Sequence, residues 1–141
     1  MSVYADSSLV VCLYVTETYS REAQRRIAHR PRIWLTPLHR VEWAHAIAQH
    51  VFRGTLSSQE AARFYTVFEA DRSSDLWAET DIPDAAYETA VQLAMKFGPQ
   101  LGTRTLDTLH VASALELGAS EFWTFDQRQQ KLAKAVGLAT S

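Results

Sequence analysis

Phe122-Trp123-Thr124-Phe125-Asp126-Gln127-Arg128 is the stretch on which the fold turns. A short run of strand-forming residues is stopped by an acid, and a polar helix follows as far as Val136. The beginning of the chain repeats this order. Val3-Tyr4-Ala5 reads as a strand ended by Asp6, and Ser7 and Ser8 are N-cap types for a helix over Leu9–Val15. That last run is apolar almost all round and β-branched, so strand competes with helix; the caps favour a buried helix.

Between these ends, short apolar runs alternate with longer amphipathic ones. Arg21–His29 is a polar helix closed by Pro31, and Arg32–Thr36 a strand closed by Pro37. Val41, Ala44, Ile47, Ala48 and Val51 have helical spacing within Leu38–Phe52, which Gly54 terminates. A further helix runs from Ser57 or Ser58 to Glu69 with Ala61, Phe64, Tyr65 and Phe68 inward, and Leu76–Ala78 is a third strand. Asp84 opens a helix that Gly98 caps, leaving Gly98–Gly102 as a loop before the helix Thr105–Leu117. Leu138–Thr140 adds an edge strand. This alternation is the pattern of an α/β protein with a parallel sheet. No repeat or linker divides the chain, so residues 1–141 are expected to form a single domain.

Composition narrows the function classes. With 141 residues, 47% hydrophobic content and a net charge of −2, disorder is excluded. The single cysteine, Cys12, rules out an internal disulfide and reads as a small buried hydrophobe. No run approaches a membrane span and the first residues lack the basic region of a secretory signal, so a soluble cytoplasmic protein is expected. The near-neutral charge argues against coating nucleic acid by bulk charge. Even so, Arg21, Arg25, Arg26, Arg30, Arg32 and Arg40 crowd a stretch with one acid, Glu22. They read either as a phosphate-binding patch or as a solvated helix face.

Four acids sit where chemistry is expected. Asp6 and Asp126 each follow a strand directly, and ligands of open parallel sheets bind at the carboxyl ends of strands. Asp107 lies in the first turn of its helix and Glu42 in the first half of its own, which brings both near the same edge. Singly each has a plainer role, as a cap, a helix-dipole partner or a surface glutamate. Gathered together, four carboxylates repel one another unless a cation intervenes. Mg²⁺ takes oxygen ligands and keeps several waters, and such a site suits phosphodiester hydrolysis. The histidines and the lone cysteine lack zinc-ligand spacing.

The residues around these acids resemble the motifs of PIN domains. Arg104-Thr105-Leu106-Asp107-Thr108-Leu109-His110-Val111-Ala112-Ser113-Ala114-Leu115 is similar to the third acidic motif, and Phe122 to Ala133 to the fourth. Tyr4-Ala5-Asp6-Ser7-Ser8 looks like the first motif. Thr36-Pro37-Leu38-His39-Arg40-Val41-Glu42 looks like the second. The resemblance spans the chain, whose length matches stand-alone toxins of the VapBC type. It implies a three-layer α/β sandwich, a central parallel sheet flanked by helices. It also implies a Mg²⁺- or Mn²⁺-dependent endoribonuclease, the toxin of a type II toxin–antitoxin pair, with an RNA substrate, a cognate antitoxin and a homodimeric state. All four acidic places are filled. Asp6, Glu42, Asp107 and Asp126 are thereby expected to be catalytic and metal-binding, with Asp6 and Asp107 as direct ligands.

Ser7 and Thr124 are candidates to support the cluster from behind its ligands, each also explained as a cap or a strand former. Arg104, Arg128 and Arg40 are candidate RNA contacts. His110 follows Asp107 by three residues on one helical face, and its apolar neighbours favour a packed structural role over a catalytic one. His39, His45 and His50 read as partly exposed. Trp34, Trp77 and Trp123 read as core, Trp43 as interfacial, and Phe64, Tyr65 and Phe68 as core or as a groove for an antitoxin helix. The competing class is a non-catalytic α/β module, either protein-binding with the acids as caps or a phosphoacceptor signalling domain. The latter needs a lysine at the end of a late strand, where this chain has none.

Overall fold

A computed structural model describes all residues, Met1–Ser141. In chain order the elements are β1 Ser2–Ala5, α1 Ser7–Val11, α2 Ser20–Ile27, β2 Arg32–Leu35, α3 Pro37–Phe52, α4 Ser58–Ser73, β3 Trp77–Glu79, α5 Ala85–Leu101, α6 Thr105–Glu116, β4 Glu121–Trp123, α7 Gln127–Ala135 and β5 Ala139–Thr140. The strands form one parallel sheet in the order β3-β2-β1-β4-β5. From β1 the chain steps outward through β2 to β3. It then crosses back to place β4 on the other side of β1, so the strand order reverses beside β1.

Side chains alternate across the sheet, as strand geometry requires. Val3, Ala5, Ile33, Leu35, Trp77 and Trp123 join the core beneath α1–α4, whereas Tyr4 and Phe122 join the core beneath α5–α7. Tyr4 stacks on Phe122, its register neighbour, with ring centroids 5.7 Å apart. This is the expected three-layer sandwich, and the reversal of strand order puts the carboxyl ends of β1 and β4, with Asp6 and Asp126, at its crevice.

Four local expectations are corrected. The first helix stops at Val11 rather than Val15, because the β-branched run resists helix and Tyr14 is taken up elsewhere. Its ring meets Trp43 and Phe68 edge-on at 5.5 and 5.4 Å, and its hydroxyl donates to Asp71 at 2.6 Å. Trp43 is fully buried rather than interfacial, stacked on Phe68 at 4.3 Å. Gly98–Gly102 is no loop: α5 continues through Pro99 to Leu101, and left-handed Gly102 (φ 63) closes it. Proline removes only one late hydrogen bond there, while Phe97 and Leu101 pack the last turns onto the core. Finally, β4 ends at Trp123, so Thr124 and Phe125 lie beyond the ladder.

Candidate active site

Every one of the four acids lies at the carboxyl end of the sheet, positioned by a helix start. Asp6 is the N-cap of α1, with Oδ2 accepting from the hydroxyl and the amide of Ser8. Asp126 is the N-cap of α7, with Oδ1 accepting from the Gln129 amide at 2.8 Å. Capping therefore engages one oxygen of each aspartate and leaves the other, so the cap role and a ligand role are compatible. Asp107 lies in the first turn of α6, where the free amides favour an anion. Glu42 projects from the second turn of α3.

Two adjoining cavities connect Glu42, Asp107 and Asp126, while Asp6 lines neither. One, of about 270 Å³, is lined by Gly102, Thr103, Arg104, Asp107, Asp126 and Arg128. The other, of about 320 Å³, is lined by Glu42, Arg104, Thr105, Leu106 and Asp107. Arg104 and Asp107 belong to both, so Asp107 stands between Glu42 and Asp126. The largest cavity, about 790 Å³, lies at the amino ends of β2 and β3 and touches none of the four acids.

Asp107 and Glu42 respond to this edge in opposite ways. Burial raises the Asp107 carboxyl, the charges of Asp6 and Asp126 push it further, and the hydrogen bond from Arg104 only partly offsets them. For Glu42, burial also works upward, but the hydrogen bond from His110, then that from Ser7 and the charge of Arg104, leave it lowered. No three acidic, histidine or cysteine side chains close around a common point. The acids are charge-coupled neighbours along one rim rather than a finished cage. Arg104 holds Asp107 at 3.1 Å, and Glu42 is turned toward His110 and Ser7. An all-oxygen donor set with uncompensated repulsion fits a hard divalent ion, which keeps its waters and needs only one or two direct carboxylates.

Around the acids, Ser7 is buried and its hydroxyl donates to Glu42 Oε1 at 2.9 Å. Thr124 does not share a strand face with Asp126. Its hydroxyl accepts from the Asp126 amide at 3.0 Å and donates to Gln129 Oε1 at 2.7 Å. Arg128 reaches the Gly102 carbonyl at 3.4 Å, while Arg40 stands apart, pairing loosely with Glu69 at 3.9 Å.

Three residues matter more than sequence alone suggests. Gln129 is fully buried, and its amide donates to the Asp107 carbonyl at 3.3 Å and lies 3.5 Å from Asp6 Oδ1. Its place three residues after Asp126 has the form of a capping box, the one sequence signal that marks it. His110 is packed, as expected, but also hydrogen-bonded to Glu42 and 3.9 Å from Asp6. His39 is fully buried rather than partly exposed, whereas His50 is partly buried and His45 exposed. The Thr36 amide donates to His39 Nδ1 at 3.0 Å, and His39 Nε2 donates to the Ala5 carbonyl at 2.8 Å. The start of α3 is thus pinned to the end of β1, one residue before Asp6.

The chain matches the PIN domain family model over residues 3–135 and belongs to that family. Solved structures agree on the fold. Mycobacterium tuberculosis VapC20, described as a sarcin-ricin loop cleaving toxin, has a TM-score of 0.70 at 15% identity, covering 97% of this chain and 96% of its own. VapBC2 from Rickettsia felis, solved bound to a DNA fragment from its promoter, gives 0.68 at 12% identity, covering 100% of this chain and 98% of its own. FitAcB from Neisseria gonorrhoeae gives 0.69 at 13% identity, covering 98% and 95%. No curated protein matches the chain significantly.

Proposed function

We propose that this PIN domain is the ribonuclease toxin of a toxin–antitoxin pair, hydrolysing RNA phosphodiester bonds with Mg²⁺ or Mn²⁺ at the carboxyl edge of its sheet. The observation that carries the reading is the electrostatics of Asp107, which faces the charges of Asp6 and Asp126 with one surface arginine in opposition. Repulsion of that kind is retained where a cation is to be held. Likeness to a toxin that cleaves the sarcin-ricin loop supports RNA as the substrate, and likeness to VapBC2 supports an antitoxin partner.

Asp6 and Asp107 would hold the ion directly, with Asp126 and Glu42 acting through its waters. Once bound, the metal would activate a water and neutralise charge on the phosphate. Arg104 and Arg128 line the cavity of Asp107 and Asp126, and they would seat the phosphodiester from the solvent side. Arg40 lies further along the rim, where it would meet a neighbouring phosphate. Ser7 and Thr124 orient carboxylate-bearing elements without facing the substrate. An antitoxin helix would find the exposed apolar residues Tyr65 and Val67 on α4; Phe68, buried, belongs to the core. A cytoplasmic homodimer completes the reading. No helix is long and apolar enough to cross a membrane.

The decisive experiment is sequencing of RNA ends after induction, with Asp6→Asn as the control. Discrete new ends that vanish with Asp6→Asn and in chelator are expected. Identical ends in the control would overturn the proposal and leave the acids as caps.

A further inference from the structure

Glu42 is braced from beneath by a polar column that runs through the core. Tyr4 of β1, His110 of α6 and Ser7 of α1 line up toward its side chain from three different elements, and all three are buried. Tyr4 Oη lies 2.8 Å from His110 Nδ1. His110 Nε2 faces Glu42 Oε1 and also lies 3.2 Å from Ser7 Oγ, which itself donates to the same Oε1. Two buried polar groups meet one carboxylate oxygen, and a third, the Tyr4 hydroxyl, backs the imidazole from behind, which supports a side chain on a half-open rim.

The direction of each hydrogen bond follows from the chemistry. Glu42 and the Ser7 oxygen can only accept from Nε2, so the imidazole proton belongs there. Nδ1 is then left to accept from the Tyr4 hydroxyl. The Tyr4 phenol is protonated near neutral pH and so carries the proton that this bond needs. Both protein hydrogen bonds of Glu42 fall on Oε1, which leaves Oε2 unengaged by the protein on a side chain that lines the cavity shared with Asp107.

We propose that His110 is a positioning residue: with its proton fixed on Nε2 by Tyr4, it locks Glu42 so that one oxygen is anchored in the protein and the other is presented to the reaction site. The role rests on the nuclease reading and extends it, because neither burial nor packing requires His110 to meet a carboxylate. Supports of this kind, one step removed from the chemistry, are worth about 10- to 100-fold in activity or metal affinity.

The test uses the full-length protein with a cleavable RNA and three variants. His110→Leu removes both ring nitrogens, His110→Gln keeps an amide donor and an acceptor, and Tyr4→Phe deletes only the hydroxyl. His110→Leu is expected to lower kcat about 10- to 100-fold with KM within about threefold, and His110→Gln to recover most of that loss. A glutamine variant no better than leucine, or a leucine variant with full kcat, would overturn the proposal and leave His110 as packing. If His110→Leu fails to fold, the nearly isosteric Tyr4→Phe and nitrogen NMR of the histidine ring in the wild type decide instead, without RNA or metal. An Nε2-protonated ring whose signal moves on Glu42→Gln and whose Nδ1 signal moves on Tyr4→Phe is expected. Protonation at Nδ1, or a ring indifferent to both substitutions, would refute the column. An absence of Asp107-dependent RNA cleavage in the wild type would instead strike at the nuclease reading, with the NMR result standing on its own.

Discussion

Glu42 and Asp107 occupy two corners of one rim and are comparably covered, with side chains 25% and 17% exposed. For both, burial is the largest influence and pushes the carboxyl up. Their net shifts nevertheless oppose each other. Glu42 receives His110 and Ser7 from inside the protein, and its charge is satisfied there. Asp107 receives Arg104, a side chain 79% exposed, and faces two further acids. The protein satisfies one corner with its own hydrogen-bond donors and leaves the other short of positive charge. Neighbours rather than depth decide whether an acid is a supported fixture or half of a cation site.

The sharpest way to break this contrast is to remove each charge and titrate a divalent ion. Asp107→Asn should abolish the rise in melting temperature that Mg²⁺ or Mn²⁺ gives the wild type and should cut RNA cleavage by at least about 100-fold. Glu42→Gln should retain much of the thermal shift and lose activity more modestly. Saturating a single site at 100 times its Kd stabilises by about 2.7 kcal/mol, which thermal unfolding resolves easily. The metal-free proteins add a check of sign. A carboxyl raised in the folded state makes folding less favourable as pH climbs above its ordinary value. Metal-free Asp107→Asn should therefore lose the fall in stability toward neutral pH that Asp107 causes. Equal metal responses from the two variants would erase the distinction between the corners.

The corners also differ in how readable they are. Asp6, Asp107 and Asp126 stand out, because an acid directly after a strand or in the first turn of a helix must lie at the carboxyl edge of a parallel sheet. The strands themselves are legible from their apolar runs. What sustains Glu42 is not. Tyr4 reads only as a strand residue and His110 only as a histidine among apolar neighbours, since a linear pattern gives spacing but not which residues 106 positions apart will touch. His39 and Gln129 escape for the same reason: each sits among exposed neighbours, and its inward direction is set by the packing of α3 and α7. Pro99 misleads differently, because a generally valid helix breaker is overridden by the packing of Phe97 and Leu101.

A smaller effect sharpens the supported corner. His39 is buried neutral, its value lowered to about 3 by burial and then by the nearby His110. A histidine depressed in the folded state is protonated first in the unfolded one, so stability falls as pH drops from about 6.5 toward 3. The slope should approach about 1.4 kcal/mol per pH unit. Glu42, being lowered, adds its own loss only below the ordinary glutamate range, so it does not contribute between about pH 6 and 5, where His39 acts. His39→Gln should flatten urea-unfolding stability over that interval, whatever it does to the absolute value. An unchanged slope would show that the join between α3 and β1 does not depend on a neutral imidazole.

The smallest expected effects belong to the arginines, and they separate the exposed corner from the rest of the rim. Arg104 touches Asp107 and lines both cavities of the site, whereas Arg40 is tied only loosely to Glu69. Removing one phosphate-binding cation should lower the salt slope of RNA affinity by about one. Arg40→Ala should do only that, weakening RNA binding a few-fold and leaving kcat intact. Arg104→Ala should do the same and also raise the Asp107 carboxyl, since its hydrogen bond and charge are what hold that group down. The acid limb of the pH–rate profile should then move upward for Arg104→Ala and stay in place for Arg40→Ala. If both variants shift the limb equally, Arg104 has no privileged hold on Asp107 and the two corners share one diffuse field.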